Sequence, residues 1–333
     1  MFAANSTMGR IATPVAGLLA VLLLSNGNDV IGPGEAYAAQ NCAEKPRKCG
    51  YPDAGNTGPK AYKTKKKKNG KKKRVRIEFK RVPNQVKSGK GWRWDSRGFV
   101  SIDGDGTVFE NYYVDGTVDV NADNVTIKNV RVYEGGESFG IAVRHADNTR
   151  IIRALVGPKD GQTRLANGIV DVYGDAQNMF ITRSEIYGTK TGIQIYRGRI
   201  THNYIHDMRY KSGDHVNGIM SNGSRDKLVI HHNTIFNELN QTDAIGLFQD
   251  FGVEANRTVT KNLIAGGGYT IYGGEARGDR ASYNIKIQKN RFSNLFYTRS
   301  GYYGHGTAFN RHGSGNTWIG NVWDHNGNTV PVP

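Results

Sequence analysis

The sequence predicts an all-β protein built as a solenoid of stacked repeats, and three observations predict it. A small residue followed by an aliphatic one opens a short strand at Gly140-Ile141, Gly168-Ile169, Gly192-Ile193, Gly218-Ile219, Ala244-Ile245 and Thr270-Ile271, with the aliphatic positions 28, 24, 26, 26 and 26 residues apart. A second phrase, aliphatic-x-x-Asn-x-aliphatic, recurs at Ile200…Asn203…Ile205, Ile230…Asn233…Ile235, Val259…Asn262…Ile264 and Ile287…Asn290…Phe292. Trp318…Asn321…Trp323 repeats it, and Ile181…Ser184…Ile186 is a looser copy. The aliphatic runs are short and alternate with polar residues, as half-buried strands do. A fixed period of this length, with two short strands in each, is the signature of a repeat architecture in which each unit buries its apolar face only against its neighbours.

The elements follow in chain order. Arg10, the apolar stretch Ile11 to Leu24 and Ala36-Tyr37-Ala38 have the charge, length and cleavage chemistry of an export signal over residues 1–38. That stretch is shorter than the roughly 20 residues a bilayer span needs. The expected product is therefore secreted, with no membrane partner after cleavage. Residues 39–59 hold both cysteines, Cys42 and Cys49, expected to form a disulfide that closes a small loop.

The formal charge of +16 is uneven. Residues 60–90 carry 15 Lys+Arg against Glu78, residues 1–59 carry 4 and 4, and residues 91–333 carry 26 and 24. The Lys-rich stretch 60–73 reads as a disordered, solvated linker, free to approach an anionic polymer. A nucleic-acid patch is the usual reading of such a run, and the export signal argues against it. The repeats occupy 74–333. Val75 to Phe79, Trp92 and Trp94 are expected to cap one end; Trp318, Trp323 and the Pro331-Val332-Pro333 tail are expected to cap the other, because open strand edges invite pairing with other chains.

Strand alternation sorts the repeats into columns. With Ile141, Ile169, Ile193, Ile219, Ile245 and Ile271 inward, Ala142, Val170, Gln194, Met220, Gly246 and Tyr272 face outward, followed two residues on by Arg144, Val172, Tyr196, Asn222, Phe248 and Gly274. The recurring asparagines are expected to occupy a left-handed turn and to satisfy buried amides by stacking. Asp171 interrupts an inward position and needs a partner.

At these residues the chain resembles the right-handed parallel β-helix proteins of the pectate-lyase-like superfamily, and among them secreted actinobacterial members opening with a C-G-Y-P-D-A segment. That segment is Cys49-Gly50-Tyr51-Pro52-Asp53-Ala54 here; Asn124 to Val130, Gly213 to Gly218, Gln241 to Gly246 and Asn321 to Asp324 also match. The resemblance implies a single right-handed parallel β-helix that cleaves acidic polysaccharides by β-elimination or hydrolysis. Elimination needs a base and something to neutralise the uronate, commonly Ca²⁺ or a basic side chain; hydrolysis needs two carboxyls at a set separation.

The candidate chemistry clusters at strand starts on adjacent repeats. His215 is the expected general base or acid, tuned by Asp214 or Asp243. Gln194, Tyr196, Asn217, Tyr272 and Arg144 are expected to contact substrate, and Asp243 with Asp250 would supply either a carboxylate pair for hydrolysis or oxygens for Ca²⁺. Asp before a strand is equally at home as a turn residue bonding its own backbone. His231-His232, His305 and His312 stand as surface or rim residues. A non-catalytic carbohydrate- or wall-binding protein is the expectation from another class, supported by the basic stretch. No phosphate-binding, dinucleotide, H-E-x-x-H or G-x-S-x-G motif occurs.

Overall fold

A computed structural model describes residues 41–67, 69–159, 163–275 and 281–333; the expected export signal over 1–38 lies outside them. The protein is all-β with long parallel sheets. Each repeat sends one strand to an 11-stranded sheet, ending at Gly304–Thr307, and two strands to a second set of parallel ladders.

In the 11-stranded sheet, Ile141, Ile169, Ile193, Ile219, Ile245 and Ile271 are register partners in succession. All are fully buried. Two further columns run through the other ladders. One passes Ile127, Ile151, Ile181, Ile200, Ile230, Val259 and Ile287. The other passes Val132, Val156, Ile186, Ile205, Ile235, Ile264 and Phe292. The three columns meet in one apolar core, each fully buried aliphatic contributing about 1.5–3 kcal/mol.

The glycine of the Gly-Ile phrase has a steric cause. A Cβ at Gly140, Gly168, Gly192 or Gly218 would lie 2.2–2.7 Å from the Val156, Ile186, Ile205 or Ile235 methyl opposite and from the next repeat's carbonyl. Both Gly and Ile thus face the core, and the residue before them is left on the outer side: Asn167 reaches across to Gln194 there.

The corner between the other two strands of each repeat is where the asparagines sit, but they are not the left-handed residues. That conformation falls one position earlier, at His202, His232, Lys261 and Lys289, with φ between 54° and 58°. The reason is division of labour. The left-handed residue turns its side chain outward, half-buried at His202, His232 and Lys289 and exposed at Lys261, while the buried Asn closes hydrogen bonds inside. Asn203 Nδ2 donates to Asn233 Oδ1 at 3.0 Å, Asn233 to Asn262 at 3.0 Å, Asn262 to Asn290 at 3.0 Å and Asn290 to Asn321 at 3.0 Å. Each Oδ1 also accepts the backbone amide of the preceding Asn at 2.9–3.0 Å.

Trp92 and the C-terminal tail pack at the two ends where caps were expected, but Val75 does not cap: it pairs with Lys63 in an exposed hairpin. Trp92 is buried against Phe109 and Tyr112 in an antiparallel flap made by Ser88–Gly89, Trp92–Asp95 and Phe99–Ile102. At the other end Trp318 Nε1 donates to Val330 O at 3.0 Å, and Pro333 lies over Gly306.

Cys42 and Cys49 form a disulfide. The segment after it is a strap along the corner rather than a free tail. The Ala43 amide donates to Asp324 Oδ2 at 2.9 Å, Tyr51 stacks on His232, the Gly58 amide donates to Arg183 O at 2.8 Å, and Lys60 is held by Asn129. The disordered linker expected over 60–73 is also corrected: Tyr62–Lys66 and Lys72–Arg76 pair as an antiparallel hairpin. Its alternating Thr64, Val75 and Tyr62 provide the extended propensity that a count of lysines conceals.

Candidate functional site

The long sheet ends in turns. Chain leaving Asp171, Gln194, Asn222 and Phe248 forms four neighbouring loops, and together they line a cleft of about 600 Å³. Tyr173, Tyr196, Arg197, Asn222, Arg225 and Phe251 line it. Phe251 is 79% exposed and Tyr173 is 56% exposed, an unusual display for large aromatic rings unless they meet a ligand.

Each wall is fixed from below. Asn222 Nδ2 donates to Asp250 Oδ2 at 2.9 Å, and the Asp250 amide returns a bond to Asn222 Oδ1 at 2.7 Å, locking the Phe251 loop to the preceding strand. Gly223, at φ 79°, lies against Gly252 so closely that a Cβ would fall 2.3 Å from the Gly252 nitrogen. Arg197 donates through Nη2 to Gly174 O at 2.7 Å, with Nε 3.1 Å from Asp226 Oδ2. Arg225 is exposed, and among the described residues its guanidinium has no hydrogen bond or ion pair. Beside the cleft His145 stacks on Tyr173 with ring centres 4.0 Å apart and holds Asp175 at 2.5 Å.

Asp171 lies at the foot of these loops, 1% exposed. Burial pushes its carboxyl up to about 6, while the Gly174 and Ala176 amides and Arg197 restrain the shift. The partner that its inward position demands is thus the turn backbone, with the Gly174 amide at 3.0 Å.

The expected catalytic trio is not brought together. Asp214 is clamped by Arg164 through two bonds of 2.6 and 2.8 Å and accepts the Lys211 amide at 2.8 Å. Burial raises its pKa, but those bonds outweigh it and hold the carboxyl below its usual range. His215 is exposed, and among the described residues its ring bonds to neither Asp214 nor Asp243. Asp243 is fully buried, and both its oxygens are without a hydrogen-bond partner. Desolvation drives its pKa well above the carboxylate range. A Cβ at Gly246 would meet both Asp243 Oδ2 and the Phe248 ring, so the carboxyl lies beneath that ring and is closed to substrate.

The shared cation site also needs correcting. Asp243 is buried at the start of the strand Asp243–Phe248 with no partner on either oxygen, while Asp250, past the strand's end, is engaged by Asn222 Nδ2 at 2.9 Å. Among the described residues no three His, Cys, Asp or Glu side chains converge as metal ligands.

Of the expected substrate contacts, Tyr196 lines the cleft. Gln194 adjoins it, donating to the Tyr196 hydroxyl at 3.1 Å and accepting from Asn167 at 2.9 Å. Asn217 is buried and donates to His215 O at 3.2 Å. Tyr272 packs on Phe248 at 5.2 Å; burial, then the nearby Asp243, raises its pKa. Arg144 pairs with Asp119 at 3.1 Å.

Sequence reasoning missed Tyr173, Arg197, Arg225 and Phe251 because they stand in turns, outside any column. The available signal was an aromatic residue directly before a glycine, at Tyr173-Gly174 and Phe251-Gly252. No family model, curated protein or solved structure matches the chain. Among the described residues no helix is long and apolar enough to cross a membrane.

Proposed function

We propose that this is a secreted, right-handed parallel β-helix protein of the pectate-lyase-like kind that binds an acidic polysaccharide in the Tyr173–Phe251 cleft and cleaves it by β-elimination. The observation that carries the reading is the pairing, in one open cleft, of exposed aromatic rings with two guanidinium groups. Aromatic faces suit the apolar faces of sugar rings, and guanidinium forks suit carboxylates.

In this reading Phe251 and Tyr173 stack sugar rings on either side of the reacting unit. Arg225, whose donors are free, takes the uronate carboxylate, and Arg197 adds positive charge beside it. Neutralising that carboxylate acidifies the neighbouring C–H bond. The Tyr196 hydroxyl, oriented by Gln194, takes that C–H proton as it passes its own proton to the glycosidic oxygen. The C–H electron pair forms the new C=C bond as the glycosidic C–O bond breaks, and the leaving oxygen is protonated. The order of the repeat columns, the Cys42–Cys49 disulfide and the leader composition support the fold and export parts of the reading.

The test is to incubate the chain with uronate polymers, with and without Ca²⁺, and to follow ultraviolet absorbance from unsaturated ends. Absorbance that is lost in Phe251→Ala and Arg225→Gln is the expected result. Reducing ends without absorbance would replace elimination by hydrolysis. A non-catalytic, polysaccharide-binding protein is the second reading. It is favoured by one observation: Asp171 and Asp243, whose pKa values are raised by burial, are both closed to a ligand. Salt-sensitive binding with no product from any uronate polymer would establish it in place of the lyase.

A further inference from the structure

The basic hairpin is at odds with its own electrostatics. Lys65 stands opposite Lys73 and Lys66 opposite Lys72, on two strands that are exposed almost throughout. Like charges directly across a ladder destabilise it, and a lone two-stranded ribbon is marginal in water. Among the described residues, no cation from Lys60 to Arg76 has a carboxylate partner.

Alternation and register place Tyr62, Thr64, Lys66, Lys72, Arg74 and Arg76 on one face. Three of these, Tyr62, Thr64 and Arg74, line a groove of about 580 Å³ between hairpin and strap, together with Lys60 and Arg153. No carboxylate lines this groove. Arg153 forms its floor, and its Nη1 reaches only the carbonyls of Asn56 at 3.3 Å and Gly58 at 3.2 Å, so its charge is not neutralised. Arg74 lies over the Tyr62 ring, 4.1 Å from its centre.

We infer that this groove and the hairpin face above it form a second polymer site, separate from the cleft, which holds an acidic polysaccharide through Lys60, Lys66, Lys72, Arg74, Arg76 and Arg153. Successive cations on one strand face stand about 7 Å apart, a row that a linear polymer with a negative charge on each sugar can meet repeatedly. Nucleic acid fits less well. Its single strands are held on free aromatic platforms, whereas the groove's one aromatic ring, Tyr62, is already covered by Arg74. The inference takes the class of polymer from the function proposed above, but it does not use the cleft. The hairpin would hold the chain on an insoluble or very long substrate while the cleft works along it, so the two sites add by linkage.

The experiment measures binding of the full chain to polygalacturonate, a neutral polysaccharide and duplex DNA of matched charge, over a range of salt. The variant Lys66→Gln/Lys72→Gln/Arg74→Gln/Arg76→Gln is expected to bind polygalacturonate at least about tenfold more weakly at ~0.1 M salt, since each exposed ionic contact is modest and several must add. Its salt dependence should be shallower than that of the wild-type chain. Phe251→Ala should retain the hairpin-dependent binding, so failure of the cleft reading leaves this one measurable. Unchanged affinity in the fourfold variant would overturn the inference, as would tighter binding of DNA than of polygalacturonate under the same conditions. Should the variant fail to fold, the wild-type salt titration decides: affinity for polygalacturonate that is indifferent to salt overturns it.

Discussion

Two buried polar columns run along this protein, and they have opposite outcomes. The corner column, Asn203 to Asn321, repeats one residue, and every amide oxygen bonds to the repeat before it. The column at the strand starts of the long sheet, Asn167, Thr191, Asn217 and Asp243, is also in register and also buried. It changes residue at each step, and it ends with Asn217 Oδ1 and both Asp243 oxygens unpartnered. Repetition satisfies polar groups because each repeat supplies what its neighbour lacks. Where repetition lapses, a group is left to find its own partner or to stay neutral.

Breaking the satisfied column should have the largest effect. Asn262→Ala would orphan the Asn233 amide and the Ile230 carbonyl, both of which Asn262 now serves at 2.9 Å. At about 1–3 kcal/mol for each buried group left unpaired, plus the small cavity, we expect a loss of about 3–5 kcal/mol in denaturant unfolding. A loss below about 1 kcal/mol would show that the column does not carry the corner.

The unsatisfied column should respond in the other direction, and to pH. Asp243 holds its proton more tightly folded than unfolded, so the folded state binds more protons above the unfolded pKa of about 3.9, and stability falls as pH rises from there through the raised folded value. Asp243→Asn removes the titration. The variant should therefore be more stable than the wild-type chain at alkaline pH, with the gap closing near pH 4. Parallel stability profiles for the two chains would mean that Asp243 finds a partner in solution.

Asp171 offers a graded version of the same test. Its folded pKa of about 6 against an ordinary 3.8 amounts to about 3 kcal/mol at most, lost between about pH 4 and pH 6 as the pH rises. Asp171→Asn should flatten that window alone. The shift is smaller than at Asp243 because turn amides reach this carboxyl.

How much of this was legible in the sequence follows from the same contrast. The aliphatic columns and the Asn column were readable because a period multiplies a weak local signal. Even so, the left-handed position was placed one residue late, since asparagine's turn preference masks its use here as an inward amide. The cleft was not readable, because Arg197, Arg225 and Phe251 lie where loops from different repeats converge. The Asp214–His215–Asp243 grouping rested on closeness along the columns, and the fold divides it: Arg164 takes Asp214, solvent takes His215, and Phe248 covers Asp243.

The smallest expected effect concerns the strap, which crosses the corner column from outside. Tyr51 stacks on His232 with ring centres 5.2 Å apart and planes at 11°. Burial, then the neighbouring His202 and His231, lowers His232 to about 4. A lowered histidine favours the neutral folded form, so its contribution is full above the unfolded pKa of about 6.5 and is lost as pH falls toward 4. Tyr51→Ala removes an aromatic contact worth about 0.5–1.5 kcal/mol and admits water to the ring. We expect His232 to move back toward 6.5 in an NMR titration, and the acid limb of the stability profile to become shallower. An unmoved His232 would assign its neutrality to the histidines beside it, and the hold on the strap would then lie in its other contacts, among them the bonds to Asp324, Arg183, Asn129 and Arg153.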